Sequence, residues 1–297
     1  MMQILISGAS GLIGKEIANS LAEQGHQIVS LQRKSAATTP YWDIENEIIE
    51  LGANQKIDVV INLAGESIAD GRWNQQKKAK IKNSRVKGTK LLAEYFSRAN
   101  YQPKVFISAS AIGFYGDRGD EKLSEESRKG TGFLSDVCYQ WEGATTKAAQ
   151  SGIRVANIRS GIVLSLKGGA LKKMLPPFKM GLGGIIGTGK QYISWVTIND
   201  VVGIINHIIK NEALKGPINL VSPNPVTNHD FTKTLGKLLN RPTCFPLPAA
   251  MAKILLGEMA QELLLASTKV IPGKLQESGY IFKYATLQDA FKAILKR

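Results

Sequence analysis

The sequence predicts a doubly wound α/β fold, a Rossmann-type parallel sheet with helices on both faces, completed by a smaller and mostly helical C-terminal region on the substrate side. Three observations carry that expectation. Five short runs rich in Val and Ile recur over the first 165 residues, amphipathic stretches separate them, and a glycine triplet stands between the first run and the first helix. The runs are 3–7, 27–31, 58–63, 104–108 and 154–158, each nearly continuous in apolar character, as parallel strands covered on both sides should be. Helical spacing covers about 14–24, 75–98 and 135–151, with Gly25 and Gly152 placed to stop the first and last. After Gly168 the texture changes to Gly and Pro, followed by a helix over 199–211 and an extended run at 218–221. From Thr227 the chain reads mainly helical, with breaks at 242–248 and at Pro272 and Gly273. The expected division is a nucleotide-binding domain over 1–225 and a helical domain over 226–297 that completes the substrate pocket.

Composition narrows the class. Over 297 residues, 43% apolar and 21% charged, the chain has enough apolar content for a packed core, and no run approaches the roughly 20 apolar residues of a bilayer span. The first residues enter a strand directly, without the pattern of a secretory leader. Two cysteines, Cys138 and Cys244, form no disulfide framework, which points to a reducing, cytoplasmic setting. His26, His207 and His229 are too scattered for a zinc site, so no metal is expected. Lys and Arg total 38 against 24 acids, a net +14 that favours anionic partners. The densest cluster, from Lys77 to Lys90, lies on a helical stretch without aromatics and fits no nucleic-acid motif. The expected partner is a small molecule rather than nucleic acid or membrane.

Gly8, Gly11 and Gly14, with Ser10, Leu12 and Ile13 between them, form a strand–turn–helix fingerprint. The first glycine permits the tight turn, the second lets backbone approach a pyrophosphate, and the third allows close helix packing. The helix N-terminus then meets the phosphates. A carboxylate for a ribose 2′-hydroxyl would stand at the end of the second strand; Gln32, Arg33 and Lys34 stand there instead. An Arg suits a 2′-phosphate, so NADP (NADPH) is expected over NAD. A second glycine-rich segment, 184–191, fits a P-loop except at Gln191, where a magnesium-binding Ser or Thr belongs, and reads better as a substrate-side loop.

Several further segments make a family visible: 62–66 (NLAGE), 108–116 (SASAIGFYG), 132–142 (GFLSDVCYQWE) and 159–164 (RSGIVL), joined by 168–171, 194–196 and 225–228. Together they resemble the epimerase-like, atypical (39U) branch of the short-chain dehydrogenase/reductase superfamily, of NAD-dependent epimerase/dehydratase type with a family-specific C-terminal domain. The resemblance covers nearly the whole chain. It implies that Leu63, Ala64 and Gly65 pass beside the cofactor, that Arg85 reaches it, and that Val163 contacts its nicotinamide end. It also implies that Ser110 bonds the reacting oxygen; extended members of the superfamily often pair, so a homodimer is open to this chain, while the sequence itself fixes no oligomeric state.

One departure matters. Active members carry a Tyr with a Lys four residues on, and a Glu four beyond the Lys. Counting back from Glu142 places Cys138 and Leu134 at those positions. Tyr115 and Tyr139 become the candidate acids, neither with a Lys to support it. Glu66, Trp73 and Trp195 are the candidate substrate contacts, with Arg72 and Lys172 as further pocket walls. Two functions compete: an NADP(H)-dependent oxidoreductase or epimerase acting on a small hydroxyl or carbonyl compound, and a non-catalytic NADP-binding redox sensor or regulator. Some family members carry a cell-division-inhibitor label, for which these residues supply no physical basis.

Overall fold

The computed structural model describes residues 1–33, 39–52 and 55–295; Lys34 lies outside them. The central sheet is built from β1 (Gln3–Ser7), β2 (Gln27–Arg33), β3 (Tyr41–Asp43), β4 (Ile48–Glu50), β5 (Val59–Asn62), β6 (Val105–Ala111), then, past the short β7 (Lys122–Leu123), β8 (Arg154–Ser160). Three short strands, β9 (Ile162–Leu164), β10 (Tyr192–Ile193) and β11 (Trp195–Thr197), the first and last of them paired, precede its last member, β12 (Gly216–Leu220). The spatial order is β12-β8-β6-β5-β1-β2-β3-β4, parallel throughout except for the antiparallel β3–β4 pair at one edge. That order reverses direction between β1 and β5, which opens a crevice at the carboxyl ends of the strands.

Helices α1 (Leu12–Glu23), α2 (Gln75–Ser97), α3 (Phe133–Gly143) and α4 (Thr146–Gln150) follow their strands. The single helix expected over 135–151 is therefore two, interrupted by Ala144 and Thr145. Helices α5 (Gly169–Lys179) and α6 (Ile198–Lys210) come next, and the C-terminal part adds α7 (Asn228–Leu239), α8 (Ala249–Leu256), α9 (Glu258–Ala260), α10 (Gly273–Glu277) and α11 (Leu287–Leu295). Strands β13 (Val226–Thr227) and β14 (Lys269–Val270) sew that part to β10 and β7. Among the described residues, no helix is long and apolar enough to cross a membrane.

Strand alternation sorts the core into two layers. Ile4, Ile6, Ile61 and Ile107 face Ile17 and Leu21 of α1 and Val201, Ile204 and Ile208 of α6. Leu5, Val60 and Phe106 point the other way, onto Leu92 and Phe96 of α2. A third cluster joins Leu171, Leu175 and Trp195 to Phe231, Leu235 and Phe291, so residues on both sides of position 225 share one apolar interior. Asp200, buried at the start of α6, accepts from the Thr197 hydroxyl and from the backbone amides of Lys283 and Tyr284, and thereby fastens the C-terminal chain.

Candidate active site

The parallel register lines up Ser7, Asn62, Ser108 and Asn157 across four strands, so the segments that follow them emerge along one sheet edge. Just beyond Ser7, Gly8 adopts φ +75°, and a side chain there would press within 3.0 Å of the Leu63–Ala64 backbone. Gly14 is tighter: a Cβ would sit 2.2 Å from the Gly8 carbonyl oxygen. Both glycines are thus required by close backbone approach. Ser10 and Gly11 are exposed, and α1 starts at Gly11 with no side-chain cap and no acid in its first turn. Leu12 and Ile13 open that turn. This is an open, uncapped helix N-terminus suited to an anion.

A buried chain of hydrogen bonds holds the turn. The Ser7 hydroxyl donates to Asn62 Oδ1 (2.6 Å), Asn62 Nδ2 donates to Thr89 Oγ1 (2.7 Å), and the Trp141 indole donates to the same Thr89 oxygen (2.9 Å). β1, β5, α2 and α3 are therefore locked together beneath the crevice. Leu63 and Ala64 line it beside Gly8, and the Arg85 guanidinium lies just under Gly65, where a Cβ would be 3.2 Å away. Arg85 donates to the carbonyls of Glu66 and Ile81, so it braces the Gly65–Glu66 backbone from below. Arg33 is exposed at the end of β2.

The segment 168–171, which the sequence offers only as part of the family pattern, forms a second wall of the crevice. Gly168 and Gly169, at the start of α5, approach Leu12 so closely that side chains there would lie 3.5 and 3.3 Å from its methyls. A second helix N-terminus without a side-chain cap therefore sits against the first. An ion pair between Lys167 and Glu16 (2.6 Å) ties them, and Val163 pairs with Val196 just behind. The Gly168–Gly169 doublet was the available signal.

The three candidate catalytic residues do not converge. Ser110 is buried at the end of β6 and donates its hydroxyl to Glu142 Oε1 (2.7 Å). Tyr115 is fully buried, which corrects its reading as an acid open to substrate: its phenol donates to Asn219 Oδ1 (2.6 Å) and accepts from Arg159 Nη1 (2.9 Å). Burial pushes that phenol up to about 12, against the partial pull of Arg159 and Asn219. Tyr139 stands on the opposite face of α3 from buried Cys138 and Trp141, 60% exposed, with the Lys129 ammonium 5.5 Å above its ring.

Behind Ser110 lies a buried ion pair. Arg159 grips Glu142 with two bonds, Nε to Oε1 (2.7 Å) and Nη2 to Oε2 (2.8 Å), while its guanidinium stacks 3.5 Å from the Phe114 ring centre. Burial alone would lower the Arg159 pKa, but the Glu142 bonds and charge overrule it and raise it. From α3, Leu134 and Cys138 face Gly113, where a Cβ would stand 3.2 Å from Leu134 Cβ and 3.8 Å from Cys138 Sγ. Desolvation raises the Cys138 thiol to about 12.

On the substrate side, Glu66 and Lys77 pair at 2.7 Å, and the Lys77 hydrogen bond lowers the Glu66 pKa, which keeps it ionised. Trp73 meets Phe133 edge to face at 5.3 Å and donates to the Ile68 carbonyl. The C-terminal chain reaches the same place: the Glu262 carboxylate accepts from the amides of Phe133 and Leu134, Glu258 pairs with Lys78, and the Arg72 guanidinium donates to the Ile254 carbonyl. Trp195, expected as a pocket wall, is fully buried in the third core cluster with its indole donated to the Asn224 carbonyl; packing claims it. Segment 184–191 is stitched to the C-terminal chain through Ile186 and Leu247 and through the Gln191 amide, which donates to the Ile186 and Leu264 carbonyls. No group of three His, Cys, Asp or Glu able to hold a metal occurs among the described residues.

Comparison with known proteins places this geometry. The model of the NAD dependent epimerase/dehydratase family matches residues 4–220, and a domain of unknown function, DUF1731, matches residues 247–294. An epimerase family protein of Mycobacterium leprae is 37% identical over 97% of this chain and 94% of its own. The human epimerase family protein SDR39U1 is 34% identical over 99% of this chain and all of its own length. The crystal structure of human SDR39U1 (isoform 2) with NADPH superposes with a TM-score of 0.91 at 33% identity, covering 99% of each chain.

Proposed function

Because the chain belongs to the NAD dependent epimerase/dehydratase family, we propose that it binds NADP(H) and exchanges hydride with a small hydroxyl or carbonyl compound. The observation that carries this reading is the crevice itself: a Gly8 turn with no room for a side chain, the uncapped start of α1, and the Gly168–Gly169 end of α5 laid against Leu12. Those groups fit a pyrophosphate. Arg33 would take the 2′-phosphate, Ala64 and Gly65 would lie along the nucleoside, and Val163 would border the nicotinamide. When bound, the cofactor supplies or accepts the hydride.

The residues around it do the remaining work. The Ser110 hydroxyl, which donates a hydrogen bond to Glu142 in the free chain, would accept from a substrate hydroxyl through its lone pairs or turn to donate to a substrate carbonyl. Glu66, Trp73 and Phe133 bound the substrate, and residues 226–297, through Glu262, close its far side. Leu134 and Cys138 stand where a Tyr–Lys pair would be expected, and the Tyr115 phenol is spent inside the protein on Asn219 and Arg159, so the proton is exchanged with water.

The test is loss of NADPH absorbance when the purified protein meets a panel of small carbonyl compounds. The expected result is turnover that falls at least about a hundredfold in Ser110→Ala, a loss within the range of a positioned polar catalytic group, with NADPH affinity preserved. Firm NADPH binding without turnover on any compound would overturn the catalytic part. A second reading, a non-catalytic NADP-binding regulator, is favoured by one observation: the hydroxyls of Ser110 and Tyr115 are both committed inside the protein. The same assay separates the two.

A further inference from the structure

The net +14 charge is not spread evenly. Between Glu142 and Asp200 the chain carries eight Lys and Arg and no acid, three of them paired with acids from elsewhere (Arg159 with Glu142, Lys167 with Glu16, Lys173 with Asp70), and between Asp230 and Glu258 it carries four and no acid. The fold lays parts of these two stretches side by side. Gly181 faces the Pro242 ring, Gly184 abuts the Phe245 carbonyl, and the Leu247 amide donates to the Ile185 carbonyl at 2.8 Å.

From this basic ground Met180, Leu182, Phe245, Met251, Ile254 and Leu255 protrude, each more than half exposed. Met251, Ile254 and Leu255 follow i, i+3, i+4 spacing on α8, whose Ala252 is buried, so the helix turns an apolar stripe outward. Lys179, Arg241 and Lys253 stand beside these side chains in sequence and form no ion pair among the described residues.

We propose that this face docks onto an anionic phospholipid bilayer, touching it from one side without crossing. A second copy would bring like charge against like charge. A folded protein partner would need concave walls to receive each side chain, whereas a fluid interface accepts separate protruding tips and sets the cations among lipid phosphates. The absence of a spanning segment in the sequence does not bear on such one-sided contact.

The test is co-sedimentation of the full chain with vesicles of phosphatidylcholine containing 30% phosphatidylglycerol, against vesicles of phosphatidylcholine alone. Each cation near an anionic surface contributes about a fivefold gain, so partitioning should be roughly a hundredfold stronger on the anionic vesicles and should collapse in high salt. The double variant Ile254→Asp/Leu255→Asp should weaken it at least about tenfold while circular dichroism and melting temperature stay near wild type. Phe245→Asp, on a loop outside α8, is the second probe should the double variant misfold. Binding to anionic vesicles that falls in these variants supports the proposal. No sedimentation overturns it and leaves the face to an acidic protein; sedimentation indifferent to all three substitutions overturns it as general charge attraction.

Discussion

Replacing Arg159 by Met tests how α3 is fastened across the floor of the crevice. Arg159 and Glu142 are both largely buried, bonded twice at 2.7 and 2.8 Å, and the guanidinium also holds Tyr115 at 2.9 Å. Met fills similar volume but leaves the Glu142 carboxylate inside the protein with only the Ser110 hydroxyl as a partner. Stranding a buried charge costs about 3–5 kcal/mol, equivalent to roughly a 10 °C fall in melting temperature for a chain of this size. The double variant Arg159→Met/Glu142→Leu removes the charge as well. What remains is the orphaned Ser110 hydroxyl, about 1–3 kcal/mol, so the double variant should be more stable than the single. Urea unfolding of wild type, both single variants and the double gives the coupling directly. NADPH affinity should stay within a few-fold throughout, because neither side chain lines the crevice. A single-variant cost below about 1 kcal/mol, or additive costs in the double, would refute the reasoning.

Other consequences follow from the same geometry. Gly14→Ala drives a methyl to within 2.2 Å of the Gly8 carbonyl, so titration should show at least about tenfold weaker NADPH binding, with a stability loss of about 1–3 kcal/mol. Of the two thiols, exposed Cys244 should react with an aromatic disulfide within minutes in the folded protein, while buried Cys138, raised to about 12, should react only on unfolding; two fast thiols would contradict the site. Tyr115 ionises near pH 10 in the unfolded chain and at about 12 when folded. Below pH 10 the phenol is neutral in both states and its contribution is fully present. As pH climbs from 10 to 12 only the unfolded chain gains by ionising, so about 2–3 kcal/mol of stability is lost. Urea unfolding across that range should show Tyr115→Phe falling less steeply than wild type.

What could be read in advance was local. Short Val- and Ile-rich runs, and a glycine every third residue where a strand meets a helix, are determined within a few residues, and the structure keeps the sheet strands and the Gly8–Gly14 turn where they were expected. The β3–β4 hairpin leaves no legible signal because its strands are only three residues each. Side-chain roles depended on distant partners. Whether Trp195 lined a pocket or filled a core was decided by Phe231, Leu235 and Phe291. The Tyr115 hydroxyl was claimed by Asn219, 104 residues away. Glu142 and Arg159 lie 17 residues apart on α3 and β8, and nothing in that spacing signals that they meet behind Ser110.

Isothermal titration of the wild-type chain and Arg33→Ala with NADPH and with NADH tests the cofactor assignment most directly. A charge-assisted bond to the 2′-phosphate is worth about 1.5–3 kcal/mol, so NADPH should bind one per chain and at least about tenfold tighter than NADH, and the substitution should erase that difference without weakening NADH. No heat with NADPH, or equal affinity of the wild type for both dinucleotides, would contradict it.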